Sequence, residues 1–331
     1  MTMSVIRFDM RSPDKTSAEL VSQYQGALEM AAWADKTGLD MVVLSEHHTS
    51  EDGYLPSPLV MAAAIAAKTE RIPINISALL VALHNPIKLA EDIAVADVIS
   101  NGRVSFVAGI GYRPVEYEAL GIDWAGRGKR MDECLEIMLK AWAGEPFEWE
   151  GGTFQVTPRP VQRPHPMMFI GGAGPRAARR AAKFGVGMFP SSADPELVEM
   201  YEAECAKLGK QPGMVLAPSA DQPGSVLVAE DPDKAWAEIG PYLLHDAMIY
   251  KSWQASGSDS AVHSSATSLQ QLRDEGVYQI LTPDEAVALG ELLGPFGAIV
   301  FHPLCGGCPV DLAWPHLQLF ADKVLPRLQA L

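Results

Sequence analysis

Short apolar runs alternate with segments of helical period along most of the chain, and capping residues mark where one gives way to the other. Thr16 and Glu19 form a capping box ahead of a helix that Gly38 stops. The run MVVLS is followed by Ser57-Pro58, a cap with proline at the first helical position, leading into LVMAAAIAAKT. PINISALL is followed by Asn85-Pro86 and a helix with Ile87, Ala90, Ile93, Ala94 and Val98 on one face, ending at Asn101-Gly102. VSFVAGI leads through the long connection GYRPVEYEALGIDW to a helix from about Gly128 to Ala143, which closes four strand and helix pairs. After a polar, proline-rich excursion (GEPFEWEGGTFQVTPRPVQRPHP) come MMFIGG with a helix opening at Gly174-Pro175, FGVGMFPS with one at Asp194-Pro195 that Gly209 stops, GSVLVA with one at Asp231-Pro232, and GAIVFHPL before the C-terminal helix.

Eight apolar strands, each followed by a helix, predict an α/β fold and within it a (β/α)8 TIM barrel, with a doubly wound sheet as the alternative. No linker separates two domains, so residues 1–331 read as one domain. The serine-rich, weakly periodic segment 252–276 reads as a mobile, lid-like loop inside it, ahead of a capped helix at Thr282-Pro283-Asp284-Glu285.

Composition narrows the function. Hydrophobic residues make up 48% and charged residues 20% of 331, the balance of an ordinary folded protein. Twenty-six basic against 41 acidic residues give a formal charge of −15, which repels phosphate backbones and anionic lipid and argues against nucleic-acid binding. The N-terminus lacks an apolar signal core and the longest apolar runs are too short to span a bilayer, so the expectation is a cytoplasmic protein without a membrane anchor.

In a barrel of this kind the loops after the strands line the active-site mouth, which directs attention to the polar residues found there. In VVLSEHHTSEDG the second strand runs straight into Glu46, His47 and His48. A metal site would need further ligands, for which His84, His245 and His302 are available, yet three successive side chains point in different directions, and the reading is that no metal is held. One packed and one solvated histidine is the bland alternative. Imidazole that exchanges protons near neutral pH with a bound substrate is the sharper one. After the fourth strand come Gly109, Gly111, Tyr112 and Arg113. GGAGPR, from Gly171 to Arg176, offers small residues and the free amides of a new helix, which suit an anion such as phosphate as well as they suit a tight turn. Cys305 and Cys308 lack a second pair and read as incidental.

Nearly the whole chain resembles the bacterial luciferase-like family of flavin-dependent oxidoreductases. The resemblance rests on SEHHTSEDGYLPSP, LLVALHNPIKLAEDIAVADVISNGRVSFVAGIGYRPVEYEALGID, RGKRMDE and FIGGAGPRAARRAAKFG taken together in this order. It implies a barrel that binds reduced FMN, or in another branch of the family the deazaflavin F420. It also implies His47 in proton chemistry beside the flavin, His48 as its neighbour, and Glu46 near the ring. Ser77-Ala78 falls where the family often has a cis non-proline peptide. Gly111 is carried along as a cofactor-binding residue, and Gly172, Ala173, Gly174 and Arg176 as the phosphate loop, with Arg127 as a second positive group. Gly109 and Ile110 stand where the luciferases have cysteine and arginine, which argues against light emission. The resemblance therefore implies an FMN-dependent monooxygenase that acts with O2 on a small organic substrate, receives its flavin from a separate NAD(P)H:flavin reductase, and pairs as a homodimer. An F420-dependent hydride-transfer enzyme and a non-catalytic flavin-binding protein are the alternatives.

Overall fold

The computed structural model describes residues 2–219, 221–253 and 264–330. Its strands are β1 (Met3–Phe8), β2 (Met41–Leu44), β3 (Ile74–Leu79), β4 (Val104–Ala108), β5 (Phe147–Trp149), β6 (Gly152–Phe154), β7 (Met168–Gly172), β8 (Gly187–Pro190), β9 (Ser225–Val228), β10 (Tyr278–Leu281) and β11 (Ala298–Phe301). The chain divides into two compact units. The first comprises 1–43, 50–55 and 218–331, and the second 44–49 and 56–217.

In the first unit β10, β9, β11 and β1 pair in parallel in that order. The helix Ser17–Thr37 opens with the expected capping box, Thr16 and Glu19 satisfying each other's backbone, and ends where Gly38 turns into the left-handed region at φ 91°. The same device, Thr282 with Glu285, opens Pro283–Leu293. β10 is a strand beyond the eight that the sequence pattern predicts. It has only four residues, with Gln279 between the buried Tyr278 and Ile280, so its apolar signal is too short to stand out, and its pairing with β9 fixes it. In the segment 252–276, Ser252 and Trp253 complete the helix Pro232–Trp253, and Ser268 caps a short helix, Leu269–Glu275. The part of the predicted lid at 254–263 lies outside the described residues.

The first unit is organised around a fully buried arginine. Met10 carries the chain out of β1 with φ 61°, unusual for a side chain that cannot bond its own backbone, and Asp9 and Arg11 on either side of it enter one buried cluster. Arg11 Nε donates to Asp246 at 2.7 Å and Nη1 to Asp52 at 2.5 Å, with Asp9 at 3.3 Å. The rings of Tyr54, Tyr250 and Trp253 lie 4.6–4.7 Å from its guanidinium carbon. His302 Nε2 lies 3.3 Å from Asp9, and His245 Nε2 lies 3.0 Å from Asp52. Cys305 and Cys308 are free, buried thiols whose pKa values burial pushes up, to about 12 for Cys308, which leaves neither poised for thiolate chemistry.

In the second unit β3, β4, β7 and β8 pair in parallel in that order. Asn85 caps Pro86–Ser100 by accepting from the amides of Ile87 and Lys88, and Asn101 closes that helix in the left-handed region. The proline-rich excursion has its own structure. β5 and β6 make a small antiparallel hairpin, and beyond it the buried Asp97 accepts from the amides of Val161 and Gln162 at 2.5 and 3.0 Å. A single carboxylate thereby anchors the segment that reads from sequence as a polar, proline-rich excursion.

Candidate functional site

The polar residues that follow β2, β3 and β4 meet in the second unit. Beyond the strand, Glu46 and His48 bond each other while His47 turns to different partners. Glu46 is 1% exposed. Its Oε1 lies 2.9 Å from His48 Nε2 and 2.7 Å from His84 Nε2, and its Oε2 accepts the Leu80 amide at 2.6 Å. Burial pushes the Glu46 pKa up, but these bonds outweigh it and hold the carboxyl at about 2. For His48, burial favours the neutral ring, while the bond and charge of Glu46 outweigh burial and raise its pKa.

The Glu46 pKa makes a prediction. Because its folded value lies below the ordinary 4.5, the carboxylate contributes stability above pH 4.5 that is lost as pH falls through 4.5 toward about 2. Between pH 5 and pH 2.5, wild-type protein should lose up to about 3 kcal/mol more unfolding free energy than Glu46→Gln. Urea unfolding at stepped pH reads the difference; parallel curves would show that the network contributes nothing.

His47 points to a residue that the pattern of the sequence does not single out. Its Nδ1 lies 2.8 Å from Glu116 Oε1, and its Nε2 lies 3.2 Å from the Tyr112 hydroxyl, with the two rings edge to face at 5.3 Å. Glu116, fully buried in the short helix Pro114–Ala119, also accepts the His48 amide at 3.0 Å and Arg113 Nη1 at 3.1 Å. Burial raises its pKa, and the His47 bond, the His48 amide and the Arg113 charge overcome that and leave it lowered. Arg113 Nη1 also donates to the His48 carbonyl at 2.7 Å, tying the two loops together. The available signal was an acidic residue in the loop after a strand, three positions beyond Arg113. It reads equally well as a first-turn carboxylate at a helix start.

The other predicted residues fall into three groups. Ser77-Ala78 is a cis peptide, and the Ser77 carbonyl accepts the Ser45 hydroxyl at 2.9 Å. A Cβ on Gly109 would come within 2.7 Å of the Ala78 Cβ, so glycine is required for β4 to pass this close to that peptide. Gly111 turns beside Leu80 and Tyr117 with φ 75°. Gly172, at φ 142°, ends β7, and Gly174 caps Pro175–Phe184 without any side-chain bond to the helix amides. A Cβ on Gly174 would meet nothing within 4 Å, and Ala173 and Arg176 are exposed beside it. The Arg127 guanidinium stacks 3.7 Å over Trp124 and donates to the Trp124 carbonyl. Arg180 joins the helices Pro175–Phe184 and Arg127–Ala143, donating to the Gly128 carbonyl at 3.2 Å and pairing with Asp132 at 2.5 Å.

Among the described residues, two groups could bring three metal-ligating atoms within 4.8 Å of one another: Glu46, His48 and His84, and Asp246, His302 and Cys305. In the first, hydrogen bonds account for the contacts between the three side chains. In the second, Arg11 on Asp246 sets a fixed positive charge where a cation would bind. His245 and His302, the other histidines available as ligands, belong to the first unit.

With this geometry in view, the comparisons are direct. The model of the luciferase-like monooxygenases matches residues 1–294, and the chain belongs to that family. The oxygenase component of the flavin-dependent trigonelline monooxygenase of Acinetobacter baylyi is 27% identical over 54% of this chain and 51% of its own length. The chain spans about half the length of the first curated relatives it matches. The F420-dependent glucose-6-phosphate dehydrogenase of Amycolatopsis mediterranei is 26% identical over 96% of this chain and 98% of that one. The crystal structure of the monooxygenase RslO1 from Streptomyces bottropensis is 26% identical, with a TM-score of 0.78, and covers 98% of this chain and 99% of its own. The fold class is the (β/α)8 barrel of these luciferase-like proteins, and the chain's relatives include a flavin-dependent and an F420-dependent enzyme and a monooxygenase. No helix among the described residues is long and apolar enough to cross a membrane.

The residues fit a phosphorylated flavin. The uncapped amides at Gly174 open onto free space beside Arg176, a cradle that a larger residue at that position would fill. Glu116 Oε2 is buried without a hydrogen-bond partner among the described residues, an acceptor that a ligand N–H could take up.

Proposed function

We propose that the chain is the oxygenase of a two-component system, which takes reduced FMN from a separate NAD(P)H:flavin reductase and uses O2 to oxygenate a small organic substrate in the cytoplasm. The observation that carries this reading is the pairing, within one unit, of a carboxylate-held imidazole after β2 with an uncapped, side-chain-free helix start after β7. Bound reduced flavin would supply the reaction with O2. Gly172, Ala173, Gly174 and Arg176 would hold its phosphate. Gly109, Gly111 and the Ser77-Ala78 peptide would face its ring, Glu46 would fix His48 and His84, and His47 would handle the proton. The identity with the A. baylyi oxygenase component and with RslO1 supports the monooxygenase branch.

The F420 reading has its own support in the match along 98% of the A. mediterranei dehydrogenase. Oxygen consumption with chemically reduced FMN, set against anaerobic oxidation of F420H2 in the presence of candidate acceptors, separates them. The monooxygenase reading requires the first and fails if only the second occurs.

The phosphate loop gives a second expectation. Gly172→Ala forces a side chain into a glycine-only region with its Cβ 3.0 Å from that of Ala177. FMN affinity should fall about 10-fold, one charge-assisted contact's worth, while riboflavin affinity, measured by fluorescence titration, stays nearly unchanged. Equal losses for both would place the phosphate elsewhere.

A second copy of the chain is the proposed partner in a homodimer. Val95, Val98 and Ile99 are exposed at helical spacing on Pro86–Ser100, which packs against Pro58–Lys68 with its exposed Val60.

A further inference from the structure

We propose that the proton handled at this site passes through the hydroxyl of Tyr112, with His47 as the base behind it and Glu116 as the residue that fixes the imidazole. The inference rests on the reading of His47 given above and deepens it by naming the group that meets the substrate.

Both ring nitrogens of His47 are engaged, Nδ1 by Glu116 at 2.8 Å and Nε2 by Tyr112 at 3.2 Å. His47 is 6% exposed, whereas Tyr112 is 41% exposed, so the phenol is the member of the chain that a ligand can reach. The bonds also fix the direction of transfer. Glu116 Oε1 receives the His48 amide and Arg113 as well as His47, which keeps the carboxylate ionised and able only to accept. The proton on His47 therefore sits at Nδ1, Nε2 presents its lone pair, and the Tyr112 hydroxyl donates to it. The nearby Tyr117 cannot substitute. Its hydroxyl donates to the Ile110 carbonyl, it is buried, and burial pushes its pKa up to about 12.

In the forward step a substrate proton forms a new O–H bond at Tyr112 as the original phenolic proton moves to His47 Nε2. The substrate keeps the electron pair of its broken bond, and the imidazolium that results is balanced by Glu116. Returning the proton to a basic product oxygen reverses both transfers, so no oxidant or reductant is needed. Among the described residues, the charged and titratable groups bonded to His47 or to its partner Glu116 include Arg113 and Tyr112 from the segment after β4, and His48 bonds Glu116 from the loop of His47 itself.

Ring 15N NMR of histidine-labelled, flavin-free protein tests the geometry, with His47→Ala assigning the signal. The expected result is a protonated Nδ1 and a bare, hydrogen-bonded Nε2 for His47, with the Nε2 signal moving toward its unbonded position in Tyr112→Phe. An Nε2–H tautomer, or a signal indifferent to Tyr112→Phe, overturns the proposal. In the second arm, oxygen consumption with reduced FMN should fall roughly 10²-fold in Tyr112→Phe, as expected for a lost acid-base group, and the Tyr112→Phe/His47→Ala double variant should be no slower than His47→Ala alone. Tyr112→Phe with wild-type turnover, beside an impaired His47→Ala, means that His47 acts directly and the relay is wrong. Wild-type protein that fails to use reduced FMN at all counts against the flavin reading instead, and the relay is then decided by the ring-nitrogen signals.

Discussion

His47→Ala should lower turnover of reduced FMN by roughly 10²- to 10⁴-fold, the usual range for removing a positioned acid-base group, while flavin affinity changes little. The separation follows from where the contacts lie. His47 is held by Glu116 and Tyr112, whereas the proposed flavin phosphate contacts begin at Gly172 on a different strand. The fold should survive, because Glu116 keeps two of its partners, the His48 amide at 3.0 Å and Arg113 at 3.1 Å, when the imidazole is gone. His48→Ala makes the informative contrast: its imidazole bonds Glu46, so it should cost less in turnover and more in the acid-dependent stability assigned to that carboxylate. Steady-state oxygen consumption beside flavin titration measures both. Unchanged turnover in His47→Ala would assign the proton chemistry to another group.

The second large effect concerns stability. Arg11→Ala should destabilise the protein by about 3–5 kcal/mol, the cost of breaking a buried ion pair by removing one partner. Three carboxylates, Asp9, Asp52 and Asp246, lose their shared cation, and three aromatic rings lose the guanidinium they surround. The pH dependence identifies the mechanism. With Arg11 gone, burial of these carboxylates is opposed by one cation fewer, so their folded-state pKa values rise and the deficit should shrink as pH falls and protonation neutralises them. Chemical denaturation at two pH values reads it, and a loss under about 1 kcal/mol, the range of an exposed pair, would show that the cluster is not a stability element.

What could be read from the sequence follows the range of the interactions involved. Helix starts were legible because a cap is decided within four residues: Thr16 with Glu19, Asn85 before Pro86, and Thr282 with Glu285 all form as their spacing predicts. β10 escaped notice because its identity depends on pairing with β9, more than 50 residues earlier, and not on its own four residues. At the site, Glu46, His47 and His48 were visible as a polar cluster after an apolar strand. Their separate hydrogen-bond partners were not, since these include Glu116, 69 residues beyond His47, and His84, 38 beyond Glu46. Arg127 makes a contact of short range that the sequence reading did not name: its guanidinium lies over Trp124, three positions away, whose aromatic face and carbonyl are within its reach. The buried cluster around Arg11 was beyond sequence reasoning altogether, its partners Asp52 and Asp246 being 41 and 235 residues distant.

The central claim is that the second unit is built to hold a reduced, phosphorylated flavin. Anaerobic titration of the purified protein with FMNH2, beside reduced riboflavin, tests it most directly. Saturable binding of one FMNH2 per chain, with reduced riboflavin held at least about 10-fold more weakly, is the predicted result. Absence of saturable FMNH2 binding, or equal affinity for the two flavins, would contradict it.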